Sequence, residues 1–172
     1  NHVTGVQTCA LPISRLKHLT HKQLVKDSTQ STIAAGDFIV IMKRAGENTA
    51  PVAHETGFSR YAGARQVPPE LLKFKGETDQ RENKLSHWIW RQYASCVWDD
   101  IRIDRVLPYK EAREPEDEKH VHPLQLDVIE RAVALWSNPS EVVLTPFMGV
   151  GSEAYGAVLN GRRAIGVELK AS

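Results

Sequence analysis

Apolar and polar positions along this chain alternate between helix-like, strand-like and aperiodic stretches. Arg15 to Gln30 is polar, with Leu16, Leu19, Leu24 and Val25 spaced as one helical face. Asp37 to Arg44 (DFIVIMKR) carries an unbroken apolar run, Phe38 to Met42, preceded by Gly36 and rich in β-branched residues. This predicts a buried strand that leaves the core at Lys43 and Arg44. Ala45 to about Arg81 has little apolar periodicity and much turn chemistry, including Gly46, Pro51, Gly57, Pro68, Pro69 and Gly76. An irregular stretch of that length predicts a functional or mobile segment. Leu85 to Ile103 is the aromatic centre, with Trp88, Trp90, Tyr93 and Trp98, and Glu111 to Lys119 is a solvated charge run.

The last fifty residues are the most regular. Leu126, Ile129, Val133 and Trp136 form one stripe of a helix over Leu124–Trp136. Val128, Ala132 and Leu135 widen that stripe, leaving Gln125, Asp127, Glu130 and Arg131 on the expected solvent side. Asn138 and Pro139 stop the helix. Glu141–Leu144 predicts a short strand, Ser152–Leu159 a short helix closed by Gly161, and Ala164–Leu169 a second strand.

The order strand, Gly-x-Gly, helix, strand, acid carries chemistry. The loop is Thr145-Pro146-Phe147-Met148-Gly149-Val150-Gly151-Ser152. Gly149 and Gly151 allow a sharp turn and close ligand approach, and the next helix offers free amides. Glu168 follows Gly151 by 17 residues, where an acid typically accepts hydrogen bonds from ribose hydroxyls. This predicts a nucleoside-containing cofactor across the carboxyl ends of two parallel strands. Gly149-Val-Gly151-Ser-Glu-Ala154 also fits the dinucleotide fingerprint, so spacing leaves a nicotinamide or flavin dinucleotide and S-adenosylmethionine both open.

The residues PFMGVG followed by GRRAIGVEL resemble the cofactor half of the amino-group DNA methyltransferases, which act on adenine or cytosine amino nitrogens. Pro146, Phe147, Gly149 and Gly151 match that family's loop, and Gly161, Arg162, Gly166 and Glu168 match its second strand. His122-Pro123, with the helix behind it, is similar to the element that precedes the loop in permuted, phage or prophage members, where Lys-Pro is usual. The resemblance implies a partial α/β, Rossmann-like methyltransferase fold with S-adenosylmethionine as cofactor and double-stranded DNA as partner. It places His122, Pro123, Thr145, Pro146, Phe147, Gly149, Gly151 and Glu168 at the cofactor, and residues 15–44 and 117–172 in the cofactor domain. Residues 45–116 would be the recognition insert. The expected phosphate contacts, in that insert and at its leading edge, are Lys43, Arg44, Arg60, Arg65, Lys73 and Lys75.

The chain departs from the family twice. Thr145 stands where Asp is usual, and offers only a neutral hydroxyl toward the cofactor's charged methionine end. The acceptor motif Asp/Asn/Ser-Pro-Pro-Tyr/Phe is absent: Pro68-Pro69 lacks the aromatic, and Leu107-Pro108-Tyr109 lacks the second proline and polar group. Asn1 to Ser14 carries no Lys, Arg, Asp or Glu, and VTGVQTCALPIS reads as a translated sequencing adapter, so 1–14 is expected to be a non-native tail. The expectation is therefore a methyltransferase fragment, inactive alone. The alternatives are a non-catalytic DNA-binding prophage remnant and a dinucleotide oxidoreductase.

Composition constrains the remaining classes. Of 172 residues, 41% are hydrophobic and 25% charged, which excludes wholesale disorder. With 22 basic against 21 acidic residues the net charge is +1, so any nucleic-acid role needs a local patch. No apolar run approaches the ~18 residues of a membrane span. Two cysteines make no disulfide framework, so the cytoplasm is expected. His120 and His122 lie two apart without a nearby Cys, and no metal is expected. Cys96 reads as a small buried residue. Trp88, Trp90, Tyr93 and Trp98, with Arg91, Arg102 and Arg105, read as core of the insert first and as a DNA-facing surface second.

Overall fold

The computed structural model describes residues 4–8, 21–30, 38–43, 45–47, 49–108 and 123–169. His122, Arg44, His120 and the charge run 111–119 lie outside these residues. The chain divides into two units, Asn1–Ala50 and Pro51–Ser172.

In the first unit, β1 (Thr4–Thr8) pairs antiparallel with β2 (Ile39–Lys43), Thr4 opposite Lys43 and Thr8 opposite Ile39. Residues 4–8, set aside from the sequence as tail, thus form a strand. The helical face expected over 15–30 yields α1 (His21–Asp27), followed by a 3-10 turn at Ser28–Gln30. The expected strand is present, but it is not buried: Phe38, Val40, Ile41 and Met42 are all exposed. A continuous apolar run is the pattern of a strand covered on both faces. In this unit, among the described residues, β2 has one edge partner and little cover on either face.

The second unit holds two apolar clusters. One centres on Leu85, Ile89 and Tyr93 of α2 (Lys84–Tyr93), with Phe58, Tyr61, Val67, Leu71, Phe74 and Trp88 packed around them. Asn83 caps α2 by accepting from the Ser86 amide at 3.0 Å, and its amide nitrogen donates to the carbonyls of Thr56 and Glu77. One buried side chain thereby starts a helix and closes the irregular segment before it. Gly57 (φ +64°) lies against Ser86, whose hydroxyl accepts from the Phe58 amide at 2.9 Å; a Cβ there would overlap that side chain. A 3-10 turn, Pro69–Phe74, packs on the same helix.

The other cluster is Leu126, Ile129 and Val133 of α3 (Leu126–Trp136), with Leu107, Leu124 and Val143 against it. β3 (Val142–Thr145), α4 (Ser152–Leu159) and β4 (Arg163–Gly166) follow as a parallel β–α–β unit, Val142 opposite Arg163 and Thr145 opposite Gly166. β3 sits one residue later than the sequence suggests, and β4 ends three residues earlier, at Gly166. Gly161 (φ +74°) closes α4 as expected. Trp136 is half-buried at the end of its stripe.

The far side of α3 differs most from expectation. Asp127 and Arg131 are 0% exposed and Glu130 3%, although all three read as solvent-facing. The reason is a second layer supplied by residues 60–105, which brings the countercharges. Asp127 accepts from the Arg102 amide (3.0 Å), Arg102 Nε (2.8 Å) and Nη2 (2.6 Å), and Arg105 Nη1 (2.6 Å). Glu130 pairs with Arg105 and, at 3.1 Å, with Arg60. Arg131 donates to the Ala62 carbonyl (2.7 Å) and to both Asp100 oxygens (2.7 and 2.8 Å), with its guanidinium 5.0 to 5.5 Å from the ring centres of Trp98, Tyr93 and Tyr61. Arg102 and Arg105 are therefore tied into the interior rather than free for a DNA surface. Tyr93, Trp88 and Trp98 pack inward, and Trp90 is 51% exposed. Cys96 is exposed rather than buried, in the short turn after α2. Among the described residues no helix is long and apolar enough to cross a membrane.

Candidate functional site

The loop between β3 and α4 builds the site. Gly149 (φ +50°) and Gly151 (φ +82°) both take left-handed backbone, and a Cβ at either would meet nothing within 4 Å, so the backbone there faces open space. The loop is held from both ends. The Met148 amide donates to the Val167 carbonyl at 2.9 Å, and the Val167 amide to the Thr145 carbonyl at 2.9 Å. Met148 lies across Gly166, where a side chain would overlap its sulfur. Glu168 closes the arrangement: its Oε2 accepts from the Gly149 amide at 2.6 Å and its Oε1 from the Leu169 amide at 2.9 Å. The acid expected at the ribose thus stands directly beside the glycine loop.

Two cavities open here. One, of about 310 Å³, is lined by Pro146, Phe147, Gly149, Val167, Glu168 and Leu169. Phe147 is 84% exposed and offers it an open aromatic face. The other, of about 100 Å³, is lined on one side by Pro123 and Leu124 and on the other by the loop, Ser152 and Glu153. The structure therefore brings together Pro123, Pro146, Phe147, Gly149 and Glu168. Gly151 supplies the bend that starts α4. Thr145 is buried beneath the loop and lines neither cavity.

Sequence reasoning missed Ser152 and Glu153. Ser152 is 2% exposed and its hydroxyl has no partner among the described residues. Burial raises the Glu153 carboxyl above its ordinary value. Their signal was position alone: the first residues of a helix after a glycine loop face whatever that loop holds.

The expected phosphate contacts are dispersed. Arg60 pairs with Glu130, and Arg65 with Asp99 at 2.6 Å. Lys73 lies 5.1 Å from the centre of the Phe74 ring, Lys75 is exposed after the 3-10 turn, and Lys43 ends β2 in the other unit. Among the described residues no three His, Cys, Asp or Glu side chains cluster as a metal site would need.

A DNA methylase family model matches residues 16–172, nearly the whole chain. The chain belongs to this DNA methylase family. It is similar to the Type II methyltransferase M.MthZI of Methanothermobacter thermautotrophicus, at 29% identity over 101 residues, 56% of this chain and 27% of that protein. It is also similar to the DNA adenine methyltransferase YhdJ of Escherichia coli (strain K12), at 29% identity over 93 residues, 53% of this chain and 29% of that protein. The DNA methylase chain thus spans under a third of the length of these relatives. No solved structure matches it.

Proposed function

We propose that this DNA methylase transfers a methyl group from S-adenosylmethionine to the exocyclic amino nitrogen of adenine or cytosine in double-stranded DNA. The fold we infer for its cofactor half is Rossmann-like, of the permuted phage type, and its place of action the cytoplasm of a bacterial or phage-infected cell. The observation that carries the reading is the Glu168 carboxylate against the Gly149 amide, at the mouth of an aromatic-walled cavity, in a chain of this family.

The residues fit an adenosyl sulfonium ligand. Phe147, Pro146, Val167 and Leu169 give apolar and aromatic wall for a purine or a sulfonium, and Gly149 and Gly151 leave no Cβ in its way. A carboxylate has about four lone-pair sites, so Glu168 can take ribose hydroxyls beside the amides it already accepts. Pro123 would close the pocket from the α3 side, and His122, outside the described residues, is carried as a candidate on the family resemblance alone. When bound, S-adenosylmethionine supplies a methyl group activated by its sulfonium. Glu168 would hold its sugar hydroxyls, and Phe147 would lie against one face of it. Phosphate contacts are assigned to basic side chains in and just before the insert; of the sequence candidates Lys43, Arg44, Arg60, Arg65, Lys73 and Lys75, Arg60 and Arg65 already pair with Glu130 and Asp99.

Calorimetric titration of the chain with S-adenosylhomocysteine and, separately, with NAD tests this. Saturable binding of S-adenosylhomocysteine is expected, with none of NAD. The reverse pattern would replace the methyltransferase reading with the dinucleotide one. Labelled-methyl transfer to DNA by residues 1–172 alone is expected to be negligible, because they contain no Pro-Pro-aromatic acceptor motif.

A further inference from the structure

Arg60, Arg65, Arg102, Arg105 and Arg131 are paired with carboxylates; of the other basic side chains in the second unit, Lys75, Arg81, Arg162 and Arg163 are scattered, whereas Lys84 and Arg91 share one helix face. At about 100° per residue, Lys84, His87, Trp90 and Arg91 of α2 fall within one arc of roughly 120°. Leu85, Ile89 and Tyr93 face the other way, into the core. All four arc residues are exposed, and none is acidic. Lys73 joins them, because its ammonium and that of Lys84 lie 5.1 and 5.4 Å from the centre of the same Phe74 ring. Neither ammonium is in an ion pair among the described residues. Two like charges sharing one ring leave a local positive field that an external anion would relieve. Of the acids close in sequence, Glu77 and Asp79 are turned back on their own loop, accepting from the Asp79 and Arg81 amides, while Glu70 and Glu82 are exposed and pair with neither lysine among the described residues.

Trp90 adds a different chemistry. Its indole lies parallel to Phe58 (6.3 Å between centres, 6° between planes), and Phe58 meets Tyr93 edge-on. It is thus backed by rigid aromatic core while about half its surface stays open, at 51% exposure. Cations beside a braced, exposed aromatic fit a polyanion that also carries stacking faces.

We propose that the exposed arc of α2, with Lys73, Lys84 and Arg91 contacting phosphates and Trp90 stacking on a base flipped out of the duplex, is the surface through which this protein holds DNA. This rests on the reading that the protein acts on DNA, and replaces Arg60 and Arg65 as the phosphate contacts within that reading.

Fluorescence anisotropy of a labelled DNA duplex, titrated with the full chain at several salt concentrations, tests it. The double substitution Lys84→Ala/Arg91→Ala should weaken binding at least tenfold and reduce the slope of log K against log salt by about 2, near one per lost phosphate contact. Trp90→Ala should weaken binding several-fold or more while leaving that slope unchanged, and DNA should no longer quench the tryptophan fluorescence to the wild-type extent. Arg163→Ala, at the exposed start of β4, should bind like wild type. S-adenosylhomocysteine affinity, measured on every variant, reports separately on the cofactor reading and on folding. Wild-type affinity and slope in the double variant, or DNA binding lost equally in Arg163→Ala, would overturn the α2 surface. A chain that binds S-adenosylhomocysteine but no duplex overturns it while sparing the cofactor reading. DNA binding that depends on α2, without S-adenosylhomocysteine binding, does the opposite.

Discussion

Glu168 has two tasks in one carboxylate: it fastens the Gly149 and Leu169 amides and faces the larger cavity. Glu168→Ala should therefore weaken S-adenosylhomocysteine binding by about 1–3 kcal/mol, the cost of leaving hydrogen-bonding groups without partners. Calorimetry checks this, and an unchanged dissociation constant would remove Glu168 from the site. What the spacing conveyed was that an acid follows the second strand close to the glycine loop, and Glu168 lies there, two residues after β4 ends at Gly166. Thr145 was harder to read. It occupies the loop's first position, but its strand turns it inward under the loop, and pleat direction depends on which face of the sheet is covered. Ser152 and Glu153 were not legible, since small and acidic residues suit any helix start.

The helices show what a periodic pattern carries and where it stops. The glycine loop ahead and Gly161 behind placed α4 at its observed bounds, and the apolar stripe located α3 to within two residues. Its complement misled: Asp127, Glu130 and Arg131 read as solvated because a buried charge differs from an exposed one only through its partner. Those partners, Arg60, Asp100, Arg102 and Arg105, lie in aperiodic segments far upstream. α4 shows another contact the pattern does not reveal. Gly156 is buried where α4 crosses α3, and a Cβ there would overlap Ile129 Cγ2. Gly156→Ala gains about 1 kcal/mol of helix propensity but overpacks the crossing at about 1–3 kcal/mol, so a net loss of up to about 2 kcal/mol is expected. Adding Ile129→Leu removes the β-branched methyl and should recover most of that loss in chemical denaturation. A single Gly156→Ala variant as stable as wild type would show that the crossing has room to adjust.

Across the unit from Pro51 onward, the buried ion network joins the irregular segment 51–108 to the segment 123–169 that carries the cofactor cavities. Burial alone would raise the Asp127 carboxyl; the side chain and amide of Arg102, with Arg105, outweigh it and hold the carboxyl at about 2. A carboxyl depressed in the folded state adds stability that is complete above its unfolded value, about 3.9. That stability drains away as pH falls through the folded value. The shift is on the order of 2–3 kcal/mol, lost between about pH 4 and pH 2. Asp127→Asn should cost about 3–5 kcal/mol at neutral pH, because it strips charge from a pair whose arginines stay partly buried. It should also flatten the stability profile in that acid window. Trp88, Trp90 and Trp98 report on one side of the network and Trp136 on the other. If the network joins the two segments, tryptophan fluorescence and far-ultraviolet circular dichroism should lose signal together in wild type. In Asp127→Asn the transitions should move to lower denaturant or separate. A variant whose acid profile overlays wild type would mean that Asp127 is not the group that couples them.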